Sequence, residues 1–147
     1  AEHTDAKVRV NAGRALRTLL PVVNDQSEFG AVRSAAQLAL GDPEAPARTN
    51  ALLLLAELRD TESLDRIALA IDDGVPMVAQ AASRSVAFIG SHEPEHKGRA
   101  GRVLAAAFVR GANRNIRVTL LQDLQTLSGK NFGNDSDAWL EWANRLP

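Results

Sequence analysis

A single pattern recurs four times along this chain and constrains its fold more than any other feature. Its nine-residue copies span 8–16, 47–55, 78–86 and 116–124. Counting the first residue of each copy as position 0, apolar residues occupy positions 0, +4 and +8, and another follows at +11. At about 100° of rotation per residue, these positions lie on one face of an α-helix. The copies begin about 31 to 39 residues apart, which is the length of chain that a pair of helices and its turns requires.

The stretches between the copies also have helical patterns. They span 27–40, 61–71, 95–110 and 135–146, and Thr61 is the predicted N-cap of the second. Pro43 and Pro76 stand near helix starts, where their missing N–H costs little. Glycines stand where helices are expected to end, at Gly41, Gly74, Gly90, Gly111 and Gly129. No run shows sustained two-residue alternation with β-branched residues, so we expect no β-strand. The sequence predicts one all-α domain of about eight helices over residues 1–147.

The composition disfavours several classes of function. The chain has no cysteine, which removes disulfides, thiolate metal sites and thiol catalysis. Its net charge is −1, from 17 basic and 18 acidic residues, so it lacks the overall positive charge of a typical nucleic-acid-binding protein. The longest apolar run, 51–56, is far too short to span a membrane.

The stretch 63–78 is similar to a known repeat family. It reads as a first helix, an acidic turn that contains Asp72 and Asp73, and the start of a second helix, and 79–90 completes the unit. This stretch resembles HEAT repeats, and the resemblance extends over nearly the whole chain. It implies a right-handed α-α superhelix, a HEAT-like solenoid of about four hairpins. Because no first helix precedes the copy at 8–16, we expect a preceding repeat outside residues 1–147, which would make the chain a fragment of a longer solenoid.

The resemblance also implies a ladder of side chains along the stack. In the HEAT family, an Asp in the turn and an Arg early in the second helix form this ladder. Arg occupies position +1 in three of the four copies. The candidate partners are Asp5 with Arg9, Asp42 with Arg48, Asp73 opposite Ala79, and Asn113 with Arg117. The resemblance therefore implies an incomplete ladder with a structural role.

The C-terminal segment is similar to an ending common in bacterial HEAT-like proteins. Residues 127–133 are followed by Trp139 and Trp142, and in such proteins a Trp-bearing helix closes the stack. A last repeat has no successor, so large aromatic side chains can cover its exposed core. We expect Trp139, Trp142 and Leu146 to form a core-facing stripe. The alternative is that the two tryptophans anchor a partner.

Three short motifs suggest chemistry but fit better as structure. Residues 92–96 match H-E-x-x-H, in which two histidines one helical turn apart bind zinc, but here they fall in a loop and the only other histidine is His3. The acids of 134–137 lack the glycine and distal Glu of a calcium loop and suit a helix N-terminus. Residues 128–130 lack the upstream glycine of a phosphate-binding loop. We therefore expect no metal site, no cofactor and no catalytic residue.

A polar stripe lies opposite the apolar face, at positions +2, +6 and +9 of the copies. Its members include Arg14, Arg17, Gln80, Arg84, Gln122 and Gln125. The second helices of a solenoid line its concave surface, so the stripe would follow that surface; the alternative is an ordinary solvated face. In the second copy, Leu53 occupies the middle of the stripe. An exposed Leu there suits a protein contact better than a nucleic-acid contact.

We therefore predict an interaction scaffold that binds a protein or peptide along its concave surface, and not an enzyme. The predicted binding residues are Arg14, Arg17, Arg48, Leu53, Gln80, Arg84, Arg117 and Gln122. Some DNA glycosylases use HEAT-like stacks, so a nucleic-acid-binding or DNA-repair protein is an alternative, disfavoured by the net charge and by a stripe without aromatics. A HEAT-like lyase or metal-dependent enzyme is a further and less favoured alternative.

Overall fold

The protein is all-helical over the residues that its computed structural model describes, 4–22, 25–111 and 114–147. Eight α-helices follow one another in this part of the chain, and no strand is present there. Their bounds are α1 Ala6–Leu19, α2 Gln26–Ala39, α3 Ala45–Glu57, α4 Leu64–Leu69, α5 Pro76–His92, α6 Lys97–Val109, α7 Arg117–Ser128 and α8 Ser136–Arg145. The predicted fold class is confirmed at this level.

The helices pack in two layers. In one layer α1, α3, α5 and α7 lie side by side in chain order. In the other, α2, α4 and α6 each pack on the helix that follows them, and α8 packs on α6. The four sequence copies therefore fall on α1, α3, α5 and α7, the fourth beginning one residue before its helix. Each copy therefore lies on a helix, and each of these helices packs on the next.

The apolar face of the copies forms the core between the layers. At positions 0, +4, +8 and +11, α5 presents Val78, Ala82, Val86 and Ile89, all of them fully buried. The corresponding residues of α7 are also buried. In α1, by contrast, Val8 and Leu19 are 43% and 54% exposed and no residue is buried. The difference follows from the packing, because α1 contacts chiefly α3 and lacks the cover that α2, α4 and α6 give to their hairpin partners.

The second predicted intervening helix differs from expectation in its boundaries. Residues 61–71 form a 3-10 turn at Thr61–Ser63, the short helix α4, and a second 3-10 turn at Ala70–Asp72. Thr61 was the expected N-cap, but this was wrong, since Asp60 precedes the first turn. The Asp60 carboxylate is buried and accepts hydrogen bonds from Gln37 Nε2 at 3.0 Å and Ser63 Oγ at 2.5 Å. These bonds to Asp60 connect α2 to the start of the next unit.

Two of the expected terminal glycines have the left-handed backbone of helix ends. Gly111 has φ 64° and Gly129, at the end of α7, has φ 68°. Gly90 was expected at a helix end, but it is buried inside α5. A Cβ on Gly90 would lie 2.5 Å from the Cβ of Ala100 in α6. The residue at 90 is therefore glycine because α5 and α6 approach closely there, which tertiary packing imposes and local sequence does not reveal.

The C-terminal helix, α8, packs on α6. Trp139 is fully buried, with its ring edge-on to Phe132 at 4.8 Å and to Trp142 at 6.0 Å between centroids. Its indole Nε1 donates to the carbonyl of Gly133 at 2.9 Å. Asp135 caps α8 by accepting from the amide of Ala138 at 3.0 Å. The expected core-facing role is confirmed for Trp139, while Trp142 is half-buried against α6.

Candidate functional site

The register between neighbouring helices of the first layer determines which residues face outward. Ser85, at +7 in α5, donates to the carbonyl of Leu52, at +5 in α3, at 3.1 Å. Ser83, at +5 in α5, donates to Asp123, at +7 in α7, at 2.5 Å. Positions +5 and +7 therefore face the two neighbouring helices, and positions 0, +4 and +8 face the hairpin partner. Position +6 is left pointing away from the second layer.

Residues at position +6 form a row across the outer face of the first layer, which we call the outward row. It consists of Arg14, Leu53, Arg84 and Gln122. Arg14, Arg84 and Gln122 are exposed, as predicted for the stripe. Leu53 is half-buried and packs against the core, so the expectation of an exposed leucine needs correction. Its neighbours cover part of it because α1 and α5 both lie against α3.

The outer face of α5 is the most mixed in character. Met77, Gln80, Arg84 and Phe88 follow one another at helical spacing, and Met77 and Phe88 are 46% and 40% exposed. Phe88 stands at position +10, which holds Thr18, Glu57 and Thr126 in the other copies. The ring of His92 stacks on Phe88 with centroids 4.0 Å apart. Met77 and Phe88 were not among the predicted binding residues, although position +10 is aromatic in this copy alone.

Two other predicted binding residues flank the outward row. Gln80 is half-buried one turn before Arg84. Arg17 donates to Glu57 Oε1 with its Nη2 at 3.1 Å, across the α1–α3 contact, and its side chain is 31% exposed. On α7, Val118 at position +2 is 69% exposed beside this surface. The structure therefore brings Arg14, Arg17, Gln80, Arg84 and Gln122 to accessible positions on the outer face of this layer.

Two Arg–Asp pairs, which we call the ladder, each join one helix of the first layer to the turn before the next, and their partners differ from the expected pair of Asp42 with Arg48. Arg9 Nε lies 2.7 Å from Asp42 Oδ2, and Arg48 Nε lies 2.9 Å from Asp73 Oδ2. The expected pair of Asp42 with Arg48 is replaced by a bond from Arg48 to the Asp42 backbone carbonyl at 2.9 Å. The Arg48 side chain is only 18% exposed. Arg48 was predicted to be a binding residue, but its pairing in the ladder gives it a structural role.

The ladder changes the titration of its carboxylates. The hydrogen bond from Arg9 holds the pKa of Asp42 below its ordinary value, against the opposing effect of burial. Burial by itself would raise the pKa of Asp73, but the hydrogen bonds from Arg48 and from the Val75 amide, with the charge of Arg48, lower it overall. Both groups therefore stay ionised to lower pH than free aspartate.

The ladder takes a different form at the last unit. Arg117 Nη2 points to the amide oxygen of Asn134 at 3.5 Å, where the earlier rungs have an Asp. Its guanidinium also lies over the ring of Phe108, 4.2 Å from the centroid. The predicted partner Asn113 lies outside the described residues. Arg117 is thus exposed but placed at the edge of the layer by contacts to α6 and to the turn before α8.

A buried polar pair lies directly beneath the outward row. Asp123 and Ser83 are 8% and 0% exposed, and the Ser83 hydroxyl donates to the carboxyl of Asp123. Burial raises the pKa of Asp123, and the bond from Ser83 and the charge of Arg84 only partly offset this. This pair was not predicted from the sequence, because it depends on the register between α5 and α7.

The short motifs are accounted for by local structure. Helix α5 ends at His92, whose Nδ1 is 2.8 Å from the carbonyl of Phe88, and His96 belongs to the separate 3-10 turn Pro94–His96. The two histidines therefore do not share one helix, and His3 lies outside the described residues. Over residues 4–22, 25–111 and 114–147, no three His, Asp or Glu side chains are grouped so that they could hold a metal ion. None of the helices in these ranges is long and apolar enough to cross a membrane.

Comparison with family models, with curated proteins and with solved structures gave no match to this chain.

Proposed function

We propose that this chain is a HEAT-like solenoid segment that binds a protein partner along the outer face of α1, α3, α5 and α7. The observation that carries the proposal is the outer face of α5, where Met77 and Phe88 flank the exposed Arg84. Methionine, aromatic residues and arginine are the types enriched in protein interfaces. In a right-handed α-α superhelix, this face of the second helices is the concave surface.

The position of Phe88 in the repeat supports a functional reason for its exposure. A structural role would recur at position +10, yet the other copies hold Thr18, Glu57 and Thr126 there, all exposed. Phe88 therefore exposes apolar surface that no packing need of the repeat requires. An aromatic ring that becomes buried on binding gains apolar contact at small cost in side-chain entropy.

The electrostatics favour a protein over a nucleic acid. Arg14 and Arg84 are separated along the outward row by Leu53, and Glu57 pairs with Arg17 at its flank. A phosphate backbone would need a continuous line of cations. Alternating apolar and cationic groups instead suit an extended peptide or a protein surface with apolar anchors and one or two carboxylates.

The experiment is site-specific photo-crosslinking followed by a binding measurement. A photoreactive phenylalanine analogue at Phe88 should crosslink a protein in the cells that express this chain, whereas the same group at the exposed Glu141 of α8 should not. Binding of the identified partner is then measured with Phe88→Ala, Arg84→Glu and the control Arg145→Glu. We expect the first two changes to weaken binding by about tenfold or more, with unchanged circular dichroism.

Equal crosslinking from positions 88 and 141 would contradict the proposal. So would a partner whose affinity Arg84→Glu and Phe88→Ala leave unchanged. Crosslinks from position 88 to nucleic acid would replace it by the nucleic-acid alternative, and binding should then fall steeply with rising salt.

A further inference from the structure

A cleft between the C-terminal end of α6 and the start of α7 is lined by three arginines. Arg110, Arg114 and Arg117 surround a volume of about 430 Å³, with Phe108 and Leu120 among the other lining residues. No acidic side chain lines the cleft within the described part of the chain. Gly111 lines it as well.

The positive charge of this cleft arises where the ladder departs from its pattern. At the two earlier rungs, Asp42 and Asp73 neutralise the arginine at position +1. At the last rung, Arg117 faces the neutral amide of Asn134. Among the described residues, neither Arg114 nor Arg117 forms an ion pair, and Arg110 pairs with Asp72 at the rim, where both side chains are about half exposed. The cleft therefore holds at least two uncompensated cations.

The contacts of Arg117 orient its guanidinium without saturating it. Stacking on Phe108 fixes the plane of the group, while its hydrogen bonds to the Phe108 carbonyl and to Asn134 are long, at 3.4 and 3.5 Å. A guanidinium has five N–H donors in a planar fork, which matches the oxygens of a phosphoryl group. The Phe108 ring already restricts the conformations of the Arg117 side chain, so little further side-chain entropy is lost when an anion binds.

We propose that this cleft binds a dianionic phosphoryl group, as found in a phosphomonoester. Two to three guanidinium groups in one small cleft complement a double negative charge, whereas a carboxylate or a phosphodiester supplies one. The site is distinct from the outward row and does not depend on the proposed protein-binding function.

Inorganic phosphate at about pH 8 is the probe, because it is then mainly a dianion. Titration at constant ionic strength, followed by two-dimensional NMR of the full chain, should give saturable shifts confined to the amides of Gly111, Arg114 and Arg117. Dimethyl phosphate, a monoanion of similar shape, should bind about tenfold or more weakly. Arg114→Gln should weaken phosphate binding by about tenfold, and the distant Arg145→Gln should leave it unchanged.

Arg114 is the decisive position, since it is exposed and its replacement should not affect folding. The double variant Arg114→Gln/Arg117→Gln should abolish the localised shifts, with circular dichroism confirming the fold. Shifts spread over many surface arginines, equal affinity for dimethyl phosphate, or full binding by Arg114→Gln would overturn the proposal. Tighter saturable binding of duplex DNA than of phosphate at matched salt would also overturn it, because phosphodiesters would then be the better ligand.

Discussion

Replacing Gly90 by alanine tests whether the close approach of α5 and α6 requires a glycine at position 90. The new Cβ would lie 2.5 Å from Ala100 Cβ and 3.1 Å from Leu127 Cδ1. Ordinary contacts between carbon atoms are about 3.5 to 4.0 Å, so the overlap is about 1 Å. Ala100 has no rotatable side chain, so relief requires α6 to move as a whole. Strain of this kind costs about 1 to 3 kcal/mol, and we take the upper end because two groups are overlapped.

The gain in helix propensity acts in the opposite direction. Alanine is favoured over glycine by about 1 kcal/mol inside a helix. The net expectation for Gly90→Ala is a loss of about 2 kcal/mol, or a decrease in Tm of about 6 °C for a chain of this size. Gly30, inside α2, has nothing within 4 Å of its built Cβ. Gly30→Ala should therefore raise the free energy of unfolding by about 0.5 to 1 kcal/mol.

The assay is urea unfolding followed by circular dichroism, with both variants and the parent protein measured under the same conditions. The same chemical change should shift the midpoint in opposite directions at the two positions. If Gly90→Ala is as stable as the parent, the close approach of α5 and α6 is not a constraint and the reasoning fails. If Gly30→Ala is destabilised to the same extent as Gly90→Ala, the effect is not due to packing.

Two further contrasts follow from equivalent positions and from titration. At position +11, Ile89→Ala should lower the free energy of unfolding by about 2 to 5 kcal/mol because Ile89 is fully buried. Leu19→Ala at the same position of α1 should lower it by less than about 1 kcal/mol because Leu19 is 54% exposed. Equal losses in urea unfolding would contradict the packing described for α1. Asp73→Asn should destabilise the protein at pH 7 by about 1 to 2 kcal/mol, and Asp123→Asn should stabilise it or be neutral. The pKa of Asp73 is lowered by folding, so its contribution is present above the unfolded pKa of about 3.9 and is lost as pH falls through the folded value. The pKa of Asp123 is raised, so its ionised form costs stability increasingly as pH rises above about 4. Asp123→Asn should converge on the parent protein well below about pH 3.9, where the Asp123 carboxyl is protonated in both states, whereas Asp73→Asn should converge only below the lowered folded pKa of Asp73. Effects of the same sign at pH 7 in unfolding experiments across pH would refute the assignment.

The sequence predicted the helices because their apolar positions repeat with helical period. It misplaced the N-cap at Thr61 and the helix end at Gly90 for one physical reason. The Asp60 carboxylate is held by Gln37 of α2, and Gly90 by its contact with Ala100 of α6. Both are contacts between different helices. Whether they form depends on how the helices pack and on the geometry of the turns between them. Local propensity contains no information on such contacts.

The candidate surface was predictable only in part. The outward direction of Arg14, Arg84 and Gln122 follows from helical period alone. Leu53 is half-buried, and Arg48 pairs with Asp73 in the ladder. Both facts depend on how neighbouring helices are aligned. The pair of Ser83 with Asp123 depends on the same alignment, since it joins +5 of one copy to +7 of the next. A polar residue at each of these two positions is the signal that would have suggested it.

Repetition offers a criterion for separating functional from structural residues in this protein. Several positions of the copies have a structural role: in α3, α5 and α7 position 0 faces the hairpin partner, +5 and +7 face neighbouring helices, and the arginines at +1 of α1 and α3 join the ladder. A residue that repeats is explained by that role. Some residues depart from the pattern and thereby expose apolar surface or leave a charge unpaired. Such a residue lowers solubility or stability and makes no packing contact that would compensate. Phe88 is such a departure, and Asn134 is another because it gives Arg117 a neutral amide where the earlier rungs have a carboxylate; they belong to the two surfaces proposed here as binding sites. The criterion is testable, because converting each to the residue type of the other copies, Phe88→Thr for the row and Asn134→Asp for the ladder, should leave the fold at least as stable while removing binding at that site.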